Sequence, residues 1–105
     1  MGVDVLWKDS AGVEIDGASD APGFFFRAID RVQHARRKDF PIMLSIDLFG
    51  DSIVMPPRTD TLAAELERIR NETPEPEARI HLGKILTLAR AASSQPGSFL
   101  ECRGD

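Results

Sequence analysis

Two carboxylates, Asp47 and Asp51, flank Leu48-Phe49-Gly50, and Ser52 follows. Three chemistries are open to this pattern. Hard divalent cations take carboxylate oxygens, but the further Asp, Asn and Glu spacing of a calcium loop is missing. Asp side chains also bond nearby backbone groups, so the same residues can simply build a turn. An aromatic rimmed by charge suits a protein interface. Asp47, Leu48, Phe49 and Asp51 are therefore the candidate partner-binding residues, and the sequence nominates no catalytic residue, metal site or cofactor.

The other reactive side chains are scattered. His34 and His81 fall on different predicted helices, each near arginine, and could form a metal pair or act as a base only through tertiary contact. His34 belongs to the basic run Arg31 to Lys38, which reads as a solvated helix end. His81 lies beside an apolar face and reads as a partly buried structural residue. Cys102 is the single cysteine, which excludes an intrachain disulfide, and a lone buried thiol behaves as a small hydrophobe. The terminal Arg103-Gly104-Asp105 spells an adhesion tripeptide, a match too short to carry weight. Nucleophile-elbow, phosphate-loop, dinucleotide and zinc-protease patterns do not occur.

The composition narrows the classes. A chain of 105 residues, 42% hydrophobic, can bury one core as a single α+β domain spanning 1–105. Its net charge of −4 argues against binding a phosphate backbone, where affinity comes from Lys and Arg. The first residues lack the basic and apolar regions of a signal peptide, and no apolar run is long enough to span a bilayer, so the expectation is a cytoplasmic protein without membrane contact.

The elements that must position these residues follow from periodicity. Val3, Val5 and Trp7 alternate with polar neighbours, Asp9 to Gly12 reads as a turn, and Val13 and Ile15 return, making a hairpin over the first sixteen residues. Ser19 or Asp20 caps a helix whose apolar face is Phe25, Ala28, Ile29, Val32 and Ala35, ending before Pro41. Ile42, Leu44 and Ile46 alternate as a strand, the Asp47–Asp51 turn follows, and Ile53 to Met55 return until Pro56-Pro57 stops them. A helix then carries Leu62, Leu66 and Ile69. After a proline-marked connector another carries Ala78, Leu82, Ile85, Leu86 and Ala89, and the two should lie antiparallel. Phe99 to Cys102 forms a last strand. The order ββαββααβ predicts a two-layer sandwich, one mainly antiparallel sheet of four to five strands with three helices.

Residues 42 to 105 resemble a pattern of small uncharacterised bacterial proteins: an apolar strand into Ile46-Asp47 and Phe49-Gly50-Asp51-Ser52, then Leu62 with Glu65-Leu66, Leu82 to Leu88, and Phe99 with Gly104-Asp105. Such proteins often have an aromatic and an Asn after the Gly-Asp turn, where this chain has Val54, Met55 and Pro56. They are similar in size and acidity to immunity proteins that neutralise bacterial toxins. The resemblance implies a non-enzymatic protein-binding module with a protein partner of the toxin kind. The alternatives are a structural or self-associating homodimer, and a small enzyme using His81 with a carboxylate.

Overall fold

The computed structural model describes residues 1–105. Its elements are β1 (Val3–Lys8), β2 (Glu14–Ala18), α1 (Phe24–Ala35), α2 (Pro41–Leu44), β3 (Asp51–Val54), α3 (Arg58–Glu72), α4 (Pro76–Ser94) and β4 (Phe99–Gly104). The four strands form one antiparallel sheet in the order β2-β1-β4-β3, with β2 and β3 at the edges. The α+β class and single sheet agree with the sequence pattern. The order is ββααβααβ.

Alternation sorts each strand into two faces. Val3, Val5, Val54, Leu100 and Cys102 turn inward and share one core with Phe25, Ile29 and Val32 of α1, Leu62 and Leu66 of α3, and Leu82, Ile85 and Ala89 of α4. Burying each large side chain contributes about 1.5–3 kcal/mol. The helices occupy this one side. The antiparallel pair α3–α4 makes the most extensive contact between elements, and α4 lies against β1, β4 and β2.

The expected strand over Ile42 to Ile46 is not formed. Pro41 opens the short helix α2 at its first position, where a missing N–H costs nothing. The carboxylate of Glu65, on α3, accepts the backbone N–H groups of Ile42 at 3.0 Å and Met43 at 2.8 Å. Met43, a solvent-side position in the strand reading, is fully buried. The Asp47–Asp51 turn therefore joins a helix to an edge strand and is not the tip of a hairpin between central strands.

The start of α1 is fixed by a residue three positions before its cap. Asp20 accepts N–H bonds from Phe25 at 3.1 Å and Phe26 at 2.9 Å, satisfying donors that a helix leaves free. Gly23 turns the chain into the helix with φ of 75°, and a Cβ there would lie 2.7 Å from the Met1 carbonyl oxygen.

Candidate functional site

The turn from Asp47 to Ser52 is held by its own polar groups. Asp47 Oδ1 accepts the Phe49 N–H at 2.9 Å, and the Asp47 N–H donates to Ser52 Oγ at 2.8 Å. The chain comes close to β4 here: the Gly104 N–H donates to the Gly50 carbonyl at 2.8 Å, and a side chain at 104 would run into the backbone of Leu48.

These contacts separate the four nominated residues. Asp47 is exposed but is committed to building the turn. Leu48 is only 7% exposed and belongs to the core, so it is removed from the docking surface. Phe49 is 64% exposed and leans toward α1, its ring 5.7 Å from that of Phe26 in an edge-on arrangement. Asp51 opens β3 and lies opposite Arg103.

Asp51 thereby belongs to a larger surface, the face of the sheet turned away from the helices. Register assigns its residues. Asp4 lies opposite Arg103, Leu6 opposite Glu101 and Lys8 opposite Phe99, while Ile53 lies opposite Glu101 from the other side. Glu101 is held between two cations, Lys8 Nζ at 3.1 Å and the Arg103 guanidinium. Their hydrogen bonds, Arg103's first, keep the Glu101 carboxyl below the usual carboxylate range, and Glu101 raises Arg103 in turn. Apolar residues flank this row: Leu6 and Phe99 are half-buried, and Ile53 is 54% exposed. At the β2 end, Asp4 and Glu14 line an open depression of about 340 Å³ with Leu6 and Gly17, and Asp16, opposite Trp7, lies at its rim. Sequence reasoning missed Leu6, Phe99, Glu101 and Arg103 as a group. Alternation places each on one side of its strand, but only the β1–β4 register brings them together.

The other titratable groups lie away from this face. Asp20 is buried, and besides capping α1 it accepts the Val3 N–H at 2.9 Å. His81 of α4 places Nε2 3.0 Å from Asp20 Oδ1 without an aligned hydrogen bond, and its ring tilts against Phe24 at 6.1 Å. His34 bonds back to the Asp30 carbonyl at 2.8 Å on an exposed helix end. Glu65 is pushed above the usual carboxylate range by burial, which outweighs its two backbone hydrogen bonds. Cys102 is fully buried, and burial pushes its thiol up to about 12. In the basic run, Arg36 pairs with Glu72, and Arg36 and Arg68 lay their guanidinium groups over the Phe40 ring at 4.8 and 5.1 Å.

Charge is divided between the layers. Residues 1–23, 45–57 and 95–105, which hold the four strands, carry nine Asp and Glu against two Lys and Arg. The helical segments, 24–44 and 58–94, carry eight against eleven. The acidity of the chain thus resides in its sheet layer. No helix is long and apolar enough to cross a membrane. Comparisons with protein-family models, curated proteins and solved structures return no match to this chain.

Proposed function

We propose that this chain is a non-enzymatic protein-binding domain whose uncovered sheet face receives a cationic protein partner. The observation that carries the reading is the coincidence, on one face, of the acidic depression lined by Asp4 and Glu14 with the half-exposed apolar residues Leu6, Phe99 and Ile53. Carboxylates around an apolar strip steer a basic partner and give its apolar side chains something to cover. The Lys8–Glu101–Arg103 row fixes the centre of the face and leaves the negative excess at the β2 end. The resemblance to immunity proteins adds a toxin as the kind of partner, with Phe49 and Asp47 at the rim of the contact. The proposed location is cytoplasmic.

The test is capture from the source lysate by three proteins: wild type, a Glu14→Lys, Phe99→Ala variant, and an Ile80→Ser control on the exposed face of α4. A basic protein retained by wild type and control, and lost by the sheet-face variant, is the expected result. Equal retention by all three overturns the sheet face as the site. A Phe49→Ala variant in the same series decides whether the contact reaches the turn.

A further inference from the structure

We propose that β3 pairs with β3 of a second copy of this chain across a two-fold axis, joining two sheets into one of eight strands. The backbone geometry leads to this. The Gly104 N–H bonds to the Gly50 carbonyl, so residues 50 and 104 form a hydrogen-bonded pair of the β3–β4 ladder. Such pairs alternate along an antiparallel ladder, so Ser52 and Val54 also bond toward β4. Asp51 and Ile53 then direct their N–H and C=O groups away from β4, to the free edge. The neighbouring ladder agrees: the Asp105 N–H bonds to the Gly2 carbonyl on the β1 side, one residue out of phase with Gly104.

Two free residues of this spacing are what an identical strand needs. An axis through Ser52 places Asp51 of each copy opposite Ile53 of the other and closes four backbone hydrogen bonds. The same register matches the flanks. Residues 49 and 55 become opposites, bringing the exposed Phe49 of one copy toward the exposed Met55 of the other. It also carries Asp47, at the acidic end of the edge, toward Arg58 of the other copy. Arg58 bonds to Ser45 Oγ at 3.1 Å and has no carboxylate within ion-pair distance. The edge is thus apolar at its middle and flanks, acidic at one end and basic at the other, which is self-complementary under a two-fold operation.

The edge is lightly defended, by its four-residue length and by Asp51 alone. β3 contains no Lys, no Pro and no bulge, and its only extensive element contact is with β4. The pairing does not depend on the cationic partner of the sheet face. It would present that partner with two copies of the face side by side.

The experiment combines light scattering with amide hydrogen exchange on wild type, from micromolar to millimolar concentration, and repeats both on Ile53→Lys and Ile53→Pro. The proline removes only an outward N–H, and the lysine keeps the backbone intact. The expected result is a mass rising toward that of a dimer. The Asp51 and Ile53 amides should slow about tenfold over the same range, while Ser52 and Val54 stay protected throughout. The lysine variant should remain a monomer with Ser52 and Val54 still protected, and the proline variant should agree. A wild type that stays monomeric, a dimer whose Asp51 and Ile53 amides keep exchanging freely, or an undiminished dimer in the lysine variant would each overturn the proposal. Protection of these amides only on adding a different protein would overturn the second copy as the occupant.

Discussion

β2 and β3 are both edge strands of the same sheet, and they meet solvent differently. β2 carries Glu14 and Asp16, and its register with β1 breaks between Trp7 and Lys8, where Ile15 is the extra residue of a bulge. Charge and a bulge both discourage a further strand from adding. β3 carries a single acid, Asp51, but is regular, and its exposed residues include Ile53 and, just past the strand, Met55. The layer around each edge differs too. The chain leaving β2 is tied down by Asp20, whose carboxylate collects three backbone N–H groups and faces His81. The chain approaching β3 is tied down by Glu65, whose carboxylate collects two and sits without an ion-pair partner. One sheet therefore has one edge interrupted by a bulge and one regular edge, with a buried carboxylate securing the chain beside each.

The largest effect is expected where the β2 side is broken. Asp20→Ala leaves three buried backbone donors without their acceptor and should cost about 3–5 kcal/mol, measured by urea denaturation. A loss no greater than that of an exposed aspartate would show that Asp20 secures nothing. On the β3 side, Glu65→Gln keeps one acceptor and turns an amide donor toward a backbone donor, for a loss of about 1–3 kcal/mol.

The pH dependence sharpens the contrast. Because burial raises the Glu65 pKa, the folded state holds this proton more tightly than the unfolded chain. The stability it contributes is full below the ordinary carboxylate value and is lost as pH rises through the raised one. The gap between wild type and Glu65→Gln should accordingly narrow as pH rises above the ordinary carboxylate range. A gap that widens over this range would reverse the assignment.

Smaller still is the open face. The depressed Glu101 carboxyl contributes stability above the ordinary carboxylate range and loses it as pH falls through its lowered value. Glu101→Gln should cost less than about 1 kcal/mol at neutral pH, and the difference should shrink with added salt. The smallest effects on stability separate the edges most cleanly. Ile15→Lys and Ile53→Lys should each change the unfolding free energy by no more than about 0.5 kcal/mol, while only the second changes the mass in solution.

The long elements were legible because periodicity and burial agree in them. Leu62, Leu66 and Ile69 in α3, Leu82, Ile85 and Ala89 in α4, and Val3 and Val5 in β1 face the core as their spacing requires. Asp20 was legible as a cap, because its chemistry acts within a few residues. The segment from Ile42 to Ile46 was misread because Ile42, Leu44 and Ile46 satisfy a strand pattern, whereas the group that makes it helical, Glu65, lies more than twenty residues away. The burial of Leu48, a candidate partner-binding residue on its local pattern, likewise depends on a distant contact. The missing side chain of Gly104, at the far end of the chain, is what lets Leu48 sink against β4. The face that gathers Leu6, Ile53, Phe99 and Glu101 is a product of strand register, which no local pattern specifies.

Cys102 lies between Val5 and Ser52, at the centre of the three-strand ladder, with no exposed surface. A reagent that alkylates thiolates meets it only after the core between β4 and the helices has opened, and the raised thiol keeps it unreactive until then. The chain therefore contains its own stopwatch. Under brief reagent pulses, the modified fraction counts how often the core opens. Slowing of that count with protein concentration would report the joining of two sheets from inside the molecule.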